Sequence, residues 1–208
     1  MNRTTRNLLA AILLILSPWV SLSSAQPPSS SPRTYRVSTT YTTVSFTIVK
    51  WMVLTEQGLF REFTGSIAYD PRNPSACKID MVVQASSIDT RNHGRDDVLR
   101  SDDFFNIAKF PTLEFHSTSV TRKGDDLLEV TGGLTIHGVT KRIVLPVKVL
   151  GVHKVDKVNT MAGFETAFTI DRTEFGVLGF RWSGGQLTLS KEVTIHILAG
   201  AVEGPHSG

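Results

Sequence analysis

The run Leu99-Arg100-Ser101-Asp102-Asp103-Phe104-Phe105-Asn106-Ile107-Ala108-Lys109-Phe110-Pro111-Thr112-Leu113-Glu114-Phe115-His116-Ser117 decides how this chain is read. Phe104, Phe105 and Phe110 fall in a short stretch that also carries charges and turn formers, so a loop or helical turn here has to bury unusual aromatic mass. Pro111 fixes its own φ and biases Phe110 toward extended backbone. Beyond it, Leu113, Phe115 and Ser117 fall on one face of a strand and Thr112, Glu114 and His116 on the other. The segment reads as an aromatic plug that leads into a half-buried strand.

On both sides of the plug the apolar residues recur with period two between turn signals, and a helical stripe is almost absent. Val44, Phe46 and Ile48 alternate with Ser45, Thr47 and Val49, and Phe63, Gly65, Ile67 and Tyr69 alternate with Thr64, Ser66 and Ala68 before the Asp70-Pro71-Arg72-Asn73-Pro74 turn closes that strand. Ile79, Met81 and Val83 follow. After the plug come Leu113–Ser117 and Leu127–Val130, hinged at Lys123-Gly124-Asp125-Asp126. Leu134 and Ile136 precede a turn at Gly138. Ile143, Leu145, Val147 and Val149 then share a face, with Pro146 breaking the ladder. Phe164, Thr166, Phe168 and Ile170, and later Val193, Ile195, Ile197 and Ala199, complete the set. About eight strands at this spacing predict an all-β fold, an antiparallel barrel or sandwich, and a short helix next to Phe104 and Phe105 would suit a lid over one open end of a barrel. The helix is expected over Thr90–Leu99, where a polar cap candidate precedes acids in the first turns. Thr131-Gly132-Gly133 and Ser183-Gly184-Gly185 read as turns.

The chain has 208 residues, enough for one domain with a substantial core. Arg3 and Arg6 precede the nine-residue apolar run Leu8–Leu16, and small residues follow at Ser23 and Ala25. This pattern is that of a secretory signal over residues 1–25, and the run falls well short of the roughly 20 residues a membrane span needs. No stable membrane anchor is expected. Residues 26–34 form a flexible Pro/Ser-rich lead-in, residues 35–201 the barrel domain and residues 202–208 a C-terminal tail. The expected location is secreted, in the periplasm. Removing Arg3 and Arg6 from the 22 basic residues leaves 20 against 19 acidic ones, a net charge of +1. That balance offers no basic stripe for nucleic acid. Cys77 is the only cysteine, so no internal disulfide staples the domain. It reads as a small buried hydrophobe.

The six histidines show no metal-binding spacing. The doublets Asp96-Asp97, Asp102-Asp103 and Asp125-Asp126 point to different faces and read as solvated charge near turns. Nucleophile elbows, phosphate-cradling loops and dinucleotide fingerprints are also missing. No catalytic constellation, metal site or cofactor is expected. The apolar inventory, with eleven phenylalanines, suits either a barrel filled by side chains or one that holds a ligand.

The order and spacing of "LRSDDFFNIAKFPTLEF", "GGLTIHGVTKRIVLPV" (Gly132–Val147) and "IDRTEFGV" (Ile170–Val177) resemble the YceI-like family of secreted lipocalin-like proteins. The earlier "VSFTIVK", "GLFREFTGSIAYDP" and "SSIDT" extend the likeness over about Tyr35–Ala201. The resemblance implies an antiparallel eight-stranded lipocalin-like barrel with the short helix and aromatic loop at one end, and within it an elongated pore that holds a polyisoprenoid or similar long amphiphilic chain, with no enzymatic step. Two positions depart from the family pattern: Lys50-Trp51 and Val98 stand where a histidine is usual. Both exchange a polar ring for apolar bulk, which favours a greasy pore and leaves the ligand's polar end unassigned.

The expected function is non-enzymatic binding, storage or transport of a long-chain isoprenoid or other amphiphilic lipid. The expected lining is Phe46, Ile48, Phe63, Ile67, Met81, Val83, Phe104, Phe105, Phe110, Leu113, Phe115, Phe164 and Phe168, with Arg95, Asp97 and Arg172 at a polar mouth. Two alternatives stay open: a solid-barrel stress-response or interaction module without a lipid, and a hydrolase or isomerase acting on an isoprenoid. An outward apolar face near Pro146, with Val144 and Val149, leaves room for a homodimer.

Overall fold

The computed structural model describes residues 31–179 and 189–204. The expected signal, most of the lead-in, the Ser183-Gly184-Gly185 turn and the end of the tail lie outside those residues. The strands are β1 (Arg33–Val37), β2 (Thr43–Lys50), β3 (Leu54–Phe60), β4 (Phe63–Tyr69), β5 (Lys78–Gln84), β6 (Ile88–Asp89), β7 (Thr112–Arg122), β8 (Leu127–Ile136), β9 (Val139–Lys154), β10 (Thr160–Asp171) and β11 (Leu189–Glu203). Among the described residues there is one α-helix, α1 (His93–Arg100), between β6 and β7.

All strand pairs are antiparallel, and β1, β4, β5, β7, β8, β9, β10 and β11 close in that order into an eight-stranded barrel, because β11 pairs back onto β1. Closure leaves those eight strands without the free edges that an open sheet would expose. Two strands share one edge of β11. Ala201–Glu203 pair with β1, whereas Leu189–Leu198 pair with β2. At the Leu189 end the β2–β3 hairpin, backed by β6, therefore stands where β1 has left the wall.

The period-two pattern becomes burial. Val130, Leu134, Ile136, Leu145, Val147 and Phe164 are among the buried side chains of the main core, each stabilising by roughly 1.5–3 kcal/mol relative to exposure. A second cluster of Val44, Phe60, Phe63, Val83 and Ile88 packs beneath the β2–β3 hairpin.

Several expectations need correction. β1, β3 and β6 were not among the expected strands: β1 is short, β6 has two residues, and Leu54-Thr55-Glu56-Gln57-Gly58 carries no apolar alternation. Strand pairing continues at both chain ends of the barrel, where Arg33 and Thr34 pair with β4, Val202 with β1 and β10, and Glu203 with β1. Gly132 and Gly133 form no turn. They lie inside β8, where a Cβ on Gly132 would sit 2.5 Å from the Phe115 ring. The glycine is a clearance for an aromatic side chain rather than a chain reversal. Pro146 does not break the β8–β9 ladder, where it lies opposite Glu129. It falls just beyond the last β9–β10 pair, Val147–Thr166, so β9 has one partner strand there. Val144 is exposed as expected, but Val149 packs against the core, because it continues the alternation of Leu145 and Val147, which face inward. Asp96 is 3 % exposed rather than solvated.

Candidate functional site

α1 begins at Asn92, whose side chain accepts the Arg95 amide as an N-cap. The aromatic plug follows it directly. Phe105 N–H donates to the Leu99 carbonyl and Asn106 N–H to the Ser101 carbonyl, so the chain folds back under its own helix. This drives Phe104 into the main core, 5 % exposed, and sets Phe105 edge-on to Phe60 of β3. Phe60 in turn meets Phe46 of β2 with ring centroids 5.8 Å apart.

That row of rings walls an interior cavity with two adjoining lobes that share lining residues. The outer lobe, of about 730 Å³, lies between α1, the plug, the β2–β3 hairpin and the ends of β10 and β11. The inner lobe, of about 130 Å³, continues into the barrel, and Phe46, Phe60, Leu113, Ile136 and Ile195 line both. The inner wall is almost wholly apolar. Thr166 Oγ1, on that wall, is buried without a hydrogen-bond partner.

The outer lobe carries the polar groups. Arg95 forms an ion pair with Glu56 at 2.6 Å and donates from Nε to Thr90 Oγ1 and from Nη2 to the Thr90 carbonyl, both at 2.8 Å. Thr90 hands its own amide and hydroxyl protons to Asp96 Oδ1, at 2.9 and 2.5 Å. Asp96 is therefore the buried keystone of a relay that ties α1 to β3. Arg172 is 8 % exposed and donates to the carbonyls of Ser190, Val177, Leu178 and Leu189. Burial pulls its pKa below the ordinary guanidinium value, and no carboxylate among the described residues forms an ion pair with it. Its charge is spread over carbonyl dipoles instead.

Of the residues expected to line a pore, Ile67, Met81, Val83, Phe115, Phe164 and Phe168 lie on the inner wall. Ile48, Phe104, Phe105, Arg95 and Arg172 lie on the outer wall, and Phe46 and Leu113 on both. Three do not line the cavity. Phe63 is core, packed in the cluster beneath the hairpin. Phe110 stacks on His137 with centroids 4.4 Å apart, turned away by Pro111 toward the β8–β9 turn. Asp97 projects into solvent, its side chain 76 % exposed beside Arg100, because the next residue on a helix points about 100° away from the buried Asp96. Phe60, Trp51, Ile88, Phe175 and Val177 also line the outer lobe and were not among the expected residues. Phe175 and Val177 sit in the "IDRTEFGV" motif, which could have flagged them. Trp51 and Phe60 gave no periodic signal. Among the described residues no three His, Cys, Asp or Glu side chains gather as a metal site.

A closed antiparallel barrel with an apolar interior cavity, capped at one end by a short helix and an aromatic loop, defines a lipocalin-like β-barrel protein. The chain belongs to the YceI-like domain family, whose model matches residues 35–201. It is 41% identical over 120 residues to protein YceI of Salmonella arizonae, a match that takes in 58% of this chain and spans 62% of the relative's length. Among solved structures it is similar to Burkholderia cenocepacia BcnA, with a TM-score of 0.71 at 24% identity over 79% of this chain and 99% of that one. It is also similar to a polyisoprenoid-binding domain from Saccharophagus degradans, with a TM-score of 0.64 at 18% identity over 82% of this chain and 98% of that one. At those identities the two structures speak to the fold.

Proposed function

We propose that this protein binds a long-chain isoprenoid or other amphiphilic lipid inside the barrel and stores or carries it without a chemical step. One observation carries the reading: a largely apolar cavity of about 730 Å³ adjoins a second apolar cavity of about 130 Å³, the two sharing Phe46, Phe60, Leu113, Ile136 and Ile195 as lining. The outer volume lies within the range of about 300–1,000 Å³ usual for small-molecule sites, and each enclosed methylene contributes roughly 0.8 kcal/mol. The guest's chain lies along Phe46, Phe60 and Phe105 with its tail toward Phe164, and its polar end rests among Arg95, Glu56 and Arg172. The fold shared with the polyisoprenoid-binding Saccharophagus degradans domain supports an isoprenoid.

The hydrolase or isomerase reading has less support. Among the described residues, Arg95, Glu56, Thr90 and Asp96 pair with one another and Arg172 donates to backbone carbonyls, an arrangement that positions these groups rather than aligning an acid with a base. The interior void also speaks against a solid barrel. The apolar run at Leu8–Leu16 supports export to the periplasm, where such a carrier would shield its guest from water.

Native mass spectrometry of protein purified without added lipid, followed by organic extraction, tests the reading. An added mass that leaves on denaturation and extracts as an isoprenoid or fatty chain is the expected result. A chemically altered chain favours an enzyme, and a clean apo mass in detergent-free buffer overturns the carrier.

A further inference from the structure

The β2–β3 hairpin ends in a surface that the barrel does not use. Val49, Trp51, Met52, Val53 and Leu54 are 40, 55, 82, 79 and 47 % exposed, and only Lys50 interrupts the run. None of the five joins either core cluster. A contiguous apolar surface of this kind marks a site of interaction.

The backbone is bent to present it. Val53 N–H donates to the Lys50 carbonyl, and the two residues between, Trp51 and Met52, have φ of 51° and 62°. Asn-Gly suits such a turn, and bulky side chains there are strained. The sequence places a tryptophan and a methionine at the two positions of the turn where side chains are hard to accommodate, and leaves both exposed.

The same tip borders the cavity: Lys50 and Trp51 line the outer lobe, so the exposed hairpin lies beside the interior. The Lys50 ammonium lies 4.1 Å from the centroid of the Trp51 ring. A tryptophan with a lysine beside it and aliphatic side chains beyond fits the boundary between lipid head groups and acyl chains, the lysine staying at the level of the anionic heads. A bilayer is also the phase in which a long apolar chain dissolves.

We propose that the Val49–Leu54 hairpin tip docks the barrel reversibly on an anionic lipid bilayer, with the cavity mouth facing the membrane. A chain would then pass between bilayer and cavity with little exposure to water. Only this transfer rests on the carrier reading; the docking itself does not.

The test is co-sedimentation of the protein, as recovered from the cell, with phosphatidylcholine–phosphatidylglycerol vesicles, alongside the double variant Met52→Gly/Val53→Ser. Neither residue lines the cavity, and glycine relieves the positive φ at position 52. The wild type is expected to sediment with the vesicles, and the double variant to lose about tenfold or more of that partition. Its melting temperature should hold or rise, and its retained guest should be unchanged by native mass spectrometry. Equal binding by both proteins, or no binding by the wild type, overturns the proposal. So does a wild type that self-associates through this tip without vesicles, since the surface then belongs to a second copy. A clean apo mass combined with tip-dependent sedimentation would overturn the carrier and leave the docking standing.

Discussion

Phe105 stands edge-on to Phe60, with ring centroids 5.9 Å apart and planes at 81°. The contact joins the loop after α1 to β3 across the mouth of the cavity. An edge-to-face pair is worth about 0.5–1.5 kcal/mol beyond its buried area, so loop and hairpin hold their positions together. Because Phe60 also packs on Phe46, a change in the loop is felt at the hairpin.

Phe105→Ser is therefore expected to weaken retention of a bound chain more than it weakens the fold. Loss of the ring should speed guest release about tenfold, followed by exchange against a labelled chain, and should lower the melting temperature by a few degrees. A collapse in melting temperature with unchanged retention per folded molecule would make Phe105 a packing residue only.

Asp96 and Asp97 are neighbours in sequence with opposite expected behaviour. Asp96→Ala leaves the Thr90 amide and hydroxyl without their acceptor and should cost about 2–3 kcal/mol in urea unfolding. Asp97→Ala removes an exposed carboxylate and should stay within about 0.5 kcal/mol. Equal effects would contradict the relay through Thr90.

Two histidines should titrate on opposite sides of 6.5. The hydrogen bond to Asp80, at 2.9 Å, favours the imidazolium of His116 and raises its pKa. Its stabilising contribution is complete below the unfolded value of 6.5 and is lost as pH rises through the raised folded value. His137 is held below 6.5 by burial and by the charge of Lys109. Protonation there favours the unfolded chain, so stability falls as pH drops from 6.5 through the lowered folded value. NMR titration of the ring protons checks both, and Asp80→Asn should bring the His116 midpoint back down. A His116 midpoint unmoved by that substitution would dissociate the shift from the pair.

Cys77 is expected to be inert. Its Sγ accepts the Asp70 amide at 3.3 Å, and burial pushes the thiol pKa up, which keeps it protonated. Cys77→Ser should cost about 1 kcal/mol, and non-reducing gels should show monomer. Mostly disulfide-linked dimer would contradict this.

Much of the architecture was legible in the chain because a strand with one face in the core must alternate. Val44-Ser45-Phe46, Ile79-Asp80-Met81 and Phe164-Glu165-Thr166 each declare which side chains face inward, and the aromatic plug declares that something must cover it. Periodicity reports the face of a strand, however, and not what lies opposite. It could not show that Phe63 meets core while Phe46 meets a void, or that Gly132 is a clearance for Phe115 rather than a turn. Asp96 and Asp97 look alike in sequence, and only the helix axis and the position of Thr90 make one buried and the other solvated. The β2–β3 hairpin gave the least warning, since β3 has little alternation and its tip is apolar yet outside the core. Local pattern determined that this chain is an all-β barrel or sandwich, and the family resemblance narrowed it to a barrel. Whether the barrel is hollow, and where its apolar surface reaches the outside, depends on distances between residues far apart in sequence, which only the closed sheet sets.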